Sequence, residues 1–124
     1  MIDHVGIHAR DFAKALRFYR EALVPLGYVA QSVDEAAKSA GFGKPGAPLL
    51  WLDGNVKAGA QSGVHLAFAA ESRAAVQGFH EAGLAHGGTD NGKPGLRADY
   101  GAGYYAGFLL DPDGNNVEAV FHEG

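Results

Sequence analysis

The sequence predicts an α+β fold built from two copies of one unit. Residues 2–9 and residues 63–70 each alternate bulky apolar side chains with small or imidazole side chains, which is the period-two pattern of a half-buried strand. A helical pattern follows each segment at matching spacing. The offset between the two copies is 61 residues, measured from His4 to His65. Each unit therefore opens with a strand and a helix and continues into further strands.

In the first unit, Asp11 is predicted to cap a helix that ends at Pro25 and Gly27. Its apolar stripe consists of Phe12, Leu16, Tyr19 and Leu23. Three short strands are expected between Tyr28 and Asp53, in the segments YVAQSV, SAGFG and LLWLD. Residues 53–63 have the composition of a linker or turn.

In the second unit, Ser72 is predicted to cap a helix with Val76 and Phe79 on its apolar stripe and Gly83 just beyond its end. His80 and His86 are expected at the surface or near the helix end. The glycine-rich segment AHGGTDNGKPGL then leads to a strand over residues 104–110.

The chain closes on a predicted hairpin whose turn contains the sequence Asp111-Pro112-Asp113-Gly114-Asn115. In its second arm Val117, Ala119 and Phe121 share one face, while Glu118 shares the other with Val120 and His122. An unpartnered carboxylate in such an apolar strand costs several kcal/mol. The sequence therefore predicts that Glu118 has a partner.

The composition excludes several classes of protein. A formal charge of −4 argues against a nucleic-acid or anionic-membrane surface, and no apolar run approaches the length of a membrane span. The chain contains no cysteine, which excludes disulfides and thiolate ligands and fits a cytoplasmic location. Its 124 residues suit a single domain, with modules of about residues 1–56 and 62–124.

Three segments resemble the vicinal oxygen chelate superfamily, which includes glyoxalase I, extradiol dioxygenases, fosfomycin-resistance enzymes and bleomycin-resistance proteins. They are DHVGIHARDFAKALRFYREAL, VHLAFAA and GFLLDPDGNNVEAV. The resemblance covers nearly the whole chain and implies two βαβββ modules. Together these modules would form a curved, eight-stranded mixed sheet with its helices outside, paired across a homodimer.

The resemblance also implies a metal site with His4, His65 and Glu118 as ligands. The fourth ligand position, a glutamate in glyoxalase I, falls near Trp51, where this chain has no acid. Two imidazoles and one carboxylate suit one Zn, Ni, Fe, Mn or Co ion and leave positions open for a substrate. If the modules exchange between chains, His4 of one chain would join His65 and Glu118 of its partner.

Further polar and aromatic residues are candidates for the same pocket. Glu118 and Tyr105 are the predicted catalytic residues, and the tyrosine hydroxyl is expected either to orient a substrate or to donate a proton. Candidates for substrate contacts are His8, Trp51, Arg97, Tyr104 and His122. Each also has a purely structural reading, as a core aromatic or a solvated surface side chain.

Two functional hypotheses follow. The first is a divalent-metal enzyme, an isomerase, lyase, dioxygenase or thiol transferase, that acts on a small substrate chelating the metal through oxygen. The second is a metal-free protein that sequesters a small molecule, as bleomycin-resistance proteins do. The intact ligand set favours the first hypothesis, and the missing acid near Trp51 keeps the second open.

Overall fold

A computed structural model gives the fold and describes residues 2–55 and 63–124. Its regular elements, in chain order, are β1 (Val5–His8), α1 (Phe12–Ala22), a 3-10 turn (Val24–Leu26), β2 (Val29–Asp34), β3 (Ser39–Lys44), β4 (Ala47–Asp53), β5 (His65–Ala69), α2 (Arg73–Ala85), β6 (Thr89–Leu96), a second 3-10 turn (Ala98–Tyr100), β7 (Tyr104–Leu110) and β8 (Asn116–His122). Neither described α-helix is long and apolar enough to cross a membrane.

The strands form two four-stranded sheets of the same topology. The first sheet has the order β1-β4-β3-β2, and the second has the order β5-β8-β7-β6. In each sheet the opening strand pairs in parallel with the last strand of its own unit, and the remaining pairs are antiparallel. The predicted α+β fold with two βαβββ modules is thus confirmed.

Both predicted helix caps are present. The Asp11 carboxylate accepts a hydrogen bond from the Lys14 backbone N–H at 3.1 Å, and the Ser72 hydroxyl accepts one from the Ala75 N–H at 3.0 Å. Each cap satisfies a backbone donor that the first helical turn leaves unpaired. After α1, the chain turns through Gly27, whose positive φ of 84° favours glycine.

The two helices pack against each other and against the sheets, and the core lies between these layers. We call the sheet face turned away from this core the outer face. In β5, Phe68 is buried in the core while His65, Ala67 and Ala69 are exposed on the outer face. Because paired residues share a face, Glu118 lies on the outer face opposite Ala67.

Two details of the second unit differ from expectation. Gly83 lies inside α2 rather than beyond its end. Glycine suits this position because a Cβ atom there would come within 2.3 Å of the Leu109 side chain. The glycine-rich segment, to which the sequence pattern assigned no strand, contains the edge strand β6. Register irregularities at Gly92 and Gly95 let that strand accommodate its glycines and Pro94.

His80 also differs from expectation, since it is buried rather than at the surface. Its Nε2 lies 2.9 Å from a carboxylate oxygen of Asp90, which also accepts the Gly92 N–H. These hydrogen bonds, first from the Gly92 backbone and then from His80, lower the pKa of Asp90. The pair fastens α2 to β6. His86 lies at the end of α2, as predicted.

The closing hairpin is anchored by Asp111. One carboxylate oxygen accepts the backbone N–H groups of Asp113 and Asn115, both at 2.9 Å. The other accepts the Asn115 amide at 2.9 Å and the Tyr19 hydroxyl at 2.5 Å. This network ties the predicted turn to α1. Residues 56–62 of the predicted linker lie outside the described residues.

Candidate metal centre

Glu118 lies in the middle of β8 and is 2% exposed. Its Oε1 lies 3.1 Å from Nε2 of His65, and its Oε2 accepts a hydrogen bond from the Tyr104 hydroxyl. β5, β7 and β8 bring these side chains together, because each of them lies on the outer face of the second sheet. Within one chain, the partners that the structure gives Glu118 are thus an imidazole and a phenol.

The orientation of His65 is fixed by its other ring nitrogen. Nδ1 lies 3.1 Å from the backbone carbonyl oxygen of Asn116, which can only accept, so Nδ1 carries a proton. In the neutral imidazole, Nε2 is then an acceptor that faces an acceptor oxygen of Glu118. Either a proton between the two atoms, carried by Nε2 or by the carboxyl oxygen, or a cation between them is needed to make this approach favourable.

The distance between His65 Nε2 and Glu118 Oε1 suits two ligand atoms of one metal ion. Two ligands at ~2.1 Å from a four- or six-coordinate ion lie about 3.0–3.4 Å apart, and Nε2 and Oε1 are 3.1 Å apart. Metal-bound histidines commonly donate their second nitrogen to a carbonyl or a carboxylate. His65 has this arrangement.

Tyr104 completes the local structure around Glu118. Burial of its hydroxyl, followed by the hydrogen bond to Glu118, raises the pKa of Tyr104 to about 12. The phenol therefore remains a proton donor over the neutral range and holds Oε2. The ring of His122 packs edge-on against the ring of Tyr104, with ring centres 5.2 Å apart. Tyr104 and His122, both predicted to contact a substrate, therefore lie next to Glu118.

Arg97 lies on the same side of the second sheet. Its guanidinium is 5.5 Å from the centre of the Phe108 ring, and Phe108 is paired with Glu118 across β7 and β8. The guanidinium also donates to the Lys93 carbonyl. An outward-facing cation thus lies at the border of the site.

Tyr105, the predicted proton donor, lies on the opposite side of β7. Its hydroxyl accepts a hydrogen bond from the Gln77 amide on α2 at 2.9 Å, and Arg73 stacks over its ring at 4.6 Å. Neighbouring residues in a strand point to opposite faces. Tyr104, and not Tyr105, is therefore the tyrosine beside Glu118.

His4 lies apart from this cluster, just before β1 in the first sheet. Its Nδ1 lies 2.7 Å from the Asp3 carboxylate, and its side chain is half exposed. This contact again leaves Nε2 available as a ligand atom. Within the part of the chain that the structure describes, no three acidic or histidine side chains come close enough to hold a metal ion. His4 is not brought to Glu118 within one chain.

The first sheet holds the other predicted pocket residues. His8 lies at the end of β1, with Nδ1 3.7 Å from the Asp53 carboxylate. Trp51 pairs with Gly6 and with Gly41, and it lines a cavity that also includes His4. Neither His8 nor Trp51 belongs to the sheet that holds Glu118.

The strand register reveals a correspondence between Trp51 and Glu118. Two residues after His4, Gly6 pairs with Trp51; two residues after His65, Ala67 pairs with Glu118. Trp51 therefore occupies, in the first unit, the position that the carboxylate occupies in the second.

Sequence reasoning missed the Tyr104–Glu118 contact and the role of the Asn116 carbonyl. Counting outward from the hairpin turn would have paired residue 108 with residue 118 and placed residue 104 on the same face. The carbonyl of Asn116 has no signal in the side-chain pattern, because every residue carries one.

The chain belongs to the Glyoxalase/Bleomycin resistance protein/Dioxygenase superfamily, whose family model matches residues 1–119. A crystal structure of a glyoxalase/bleomycin resistance protein from Albidiferax ferrireducens T118 is similar, with 27% identity, 98% of each chain covered and a TM-score of 0.80. No curated protein matches the chain.

Two more distant structures share the fold. A glyoxalase/bleomycin resistance protein/dioxygenase family enzyme from Burkholderia phytofirmans PsJN is 19% identical, with 98% of each chain covered and a TM-score of 0.72. A lactoylglutathione lyase from Agrobacterium tumefaciens is 22% identical over 98% of this chain and 92% of its own, with a TM-score of 0.69.

Proposed function

We propose that this protein is a divalent-metal enzyme that acts on a small substrate chelating the metal through oxygen atoms. The observation that carries the proposal is the 3.1 Å approach of His65 Nε2 to a buried Glu118 carboxylate oxygen, with Nδ1 of the same ring committed to a carbonyl. Such a pair needs a proton or a cation between its two acceptor atoms, and a bound metal ion would satisfy this need.

The ligand set in this proposal is His65 and Glu118 of one chain with His4 of a partner chain, in a homodimer. The outer face of each sheet is turned away from the core of its own chain, and in the proposed homodimer it would meet the outer face of a second copy. His4 Nε2 and His65 Nε2 are both left available, because each Nδ1 has a hydrogen-bond acceptor. Imidazole and carboxylate ligands suit Zn, Ni, Fe, Mn and Co alike.

When bound, such a metal would polarise a carbonyl or enolate oxygen and acidify a coordinated water. The chain's own residues prepare the site for that chemistry. Tyr104 fixes one oxygen of Glu118 and so directs the other toward His65. The isomerase, lyase, dioxygenase and thiol-transferase reactions of the family are all compatible with this arrangement.

Metal content per subunit tests the proposal. The purified parent protein, reloaded with Zn²⁺ and dialysed, is expected to hold one ion per site, while His65→Ala and Glu118→Gln each lose it because a ligand is removed. His86→Ala is the matched control, since that imidazole bonds to the Ala82 carbonyl at the end of α2. Equal metal content in all of these proteins would overturn the proposal.

A metal-free small-molecule binder is the second candidate. It is favoured by one feature, namely that the contacts of Glu118 are complete without a metal if His65 is protonated. In that case the pair is an imidazolium–carboxylate ion pair, and His65→Ala would expose a buried, partly unpaired carboxylate without changing metal content. Trace metal in parent and variants, together with retained ligand binding, would support this candidate instead.

A further inference from the structure

A cavity of about 550 Å³ lies on the first sheet, away from the His65–Glu118 pair. Its apolar wall includes Tyr28, Pro48, Leu49 and Trp51. One lysine, Lys44, and one histidine, His4, also line it. Concave apolar sites with a few placed polar groups are typical of small-ligand pockets.

The Trp51 ring forms a rigid surface in this cavity. A methyl group on Gly41 would come within 3.0 Å of two atoms of the indole ring and within 3.3 Å of Pro48. The absence of a side chain at Gly41 therefore lets the indole lie close against the strand. Tyr28 is held in turn by the Phe68 ring, with ring centres 5.9 Å apart.

The strand register makes this surface specific to the first unit. Trp51 corresponds to Glu118 of the second unit, so an aromatic ring replaces a carboxylate at equivalent positions. The second sheet thus presents the carboxylate of Glu118, and the first sheet presents the flat apolar ring of Trp51. The two faces are suited to different parts of one small molecule.

The charged groups at the cavity favour an anion at the Lys44 end. Lys44 lies 3.7 Å from Glu71, but both side chains are largely exposed, and such surface pairs contribute little. The acidic group of the lining, Asp3, is already bonded to His4. The ammonium of Lys44 is therefore the group best able to pair with an incoming carboxylate.

We infer that this cavity binds a planar aromatic carboxylate, with the ring stacked on Trp51 and the carboxylate beside Lys44. The inference rests on the proposed function only in placing the ligand next to His4, which lines the same cavity. It assigns a substrate class: a flat apolar group on the first sheet, an anion at Lys44, and oxygen atoms toward the metal ligands.

The test uses 4-fluorobenzoate and metal-free protein prepared with EDTA, so that it does not depend on the metal centre. Saturable binding is measured by ¹⁹F NMR and by the fluorescence of Trp51, which is the single tryptophan of the chain. We expect 4-fluorobenzoate to bind at least several-fold more tightly than uncharged 4-fluorobenzamide or cationic 4-fluorobenzylamine.

Three variants localise the binding. Lys44→Gln is expected to weaken 4-fluorobenzoate about tenfold, the loss of one charge-assisted contact, and to leave 4-fluorobenzamide unchanged. Trp51→Leu, which keeps apolar volume, and Gly41→Ala, which displaces the indole, are expected to weaken both ligands. Lys14→Gln, on α1, is the matched control and is expected to change neither.

The inference is overturned if 4-fluorobenzoate binds no better than the amide or the amine, or if Lys44→Gln and Trp51→Leu bind like the parent. It is also overturned if no saturable binding occurs. Failure of the metal centre has a different signature: the parent protein then holds no Zn²⁺ but still binds 4-fluorobenzoate.

Discussion

The closing hairpin contains two buried carboxylates that serve different purposes. Asp111 at the turn is 4% exposed, and Glu118 at the strand centre is 2% exposed. Asp111 accepts four hydrogen bonds, from two backbone N–H groups, one amide and one phenol. Glu118 has one phenol and an imidazole that faces it with a nitrogen lone pair unless protonated.

Burial alone therefore does not distinguish a structural carboxylate from one that could bind a ligand. The donors around Asp111 are uncharged and saturate both oxygens, so the carboxylate needs no further partner. The partners of Glu118 leave a position that a proton or a metal ion must fill. The comparison predicts that changes at Asp111 affect folding, whereas changes at Glu118 affect ligand binding.

The largest expected effect on stability is that of Asp111→Asn. The amide cannot accept at both positions, so buried donors lose their partners, and the free energy of unfolding should fall by about 3 kcal/mol. Asp113→Asn, at the same turn, is the control. Its carboxylate accepts the exposed Arg10 N–H, and a change within about 0.5 kcal/mol is expected there. Denaturant unfolding measures both, and similar losses in the two variants would contradict the assignment.

A smaller effect is expected for Tyr19→Phe, which removes one donor to Asp111. A loss of about 1–2 kcal/mol is expected in denaturant unfolding at neutral pH. The same variant also tests the alkaline behaviour of the turn.

Burial, followed by the negative charge of Asp111, raises the pKa of Tyr19 well above its ordinary value. Below about pH 10 this tyrosine is protonated in the folded and unfolded states, so its contribution to stability is complete. Above that pH the unfolded state loses the proton first, and the free energy of unfolding falls as pH rises. Tyr19→Phe should show a shallower alkaline decline than the parent; an identical decline would exclude this role for Tyr19.

The smallest expected effect on stability is that of Tyr104→Phe, at the strand centre. Loss of the hydroxyl that orients Glu118 should weaken Zn²⁺ binding about tenfold and change stability by no more than about 1 kcal/mol. Tyr105→Phe is the matched control, because its hydroxyl bonds to Gln77 on the other face. Competition with a chromophoric chelator measures both affinities, and equal values for the two variants would remove Tyr104 from the site.

Much of the architecture follows from local patterns in the sequence. Alternation predicts β1 and β5, the caps at Asp11 and Ser72 locate both helices, and the Asp-Pro-Asp-Gly turn locates the final hairpin. β6 escaped prediction because glycine and proline disfavour strands, and its register irregularities arise only from pairing with β7.

The site was less predictable for a physical reason. His65 and Glu118 meet because β5 and β8 are parallel neighbours, a pairing between residues 51 or more positions apart that local propensity does not encode. The choice between Tyr104 and Tyr105 depends on strand register, because a shift of one residue moves a side chain to the opposite face of the sheet. The burial of His80 likewise depends on Asp90, which lies on a strand that the sequence pattern conceals.

The central claim is that His65 and Glu118 of one chain share a metal with His4 of another. Mixing two variants that each lack one of these ligands tests it most directly. His4→Ala and Glu118→Gln are each expected to bind no Zn²⁺ alone. After the two are unfolded together and refolded, heterodimers contain one intact site, so Zn²⁺ binding should reappear in the mixture. Zn²⁺ binding that stays at the level of the separate variants, with heterodimers verified by mass spectrometry, would contradict the shared site.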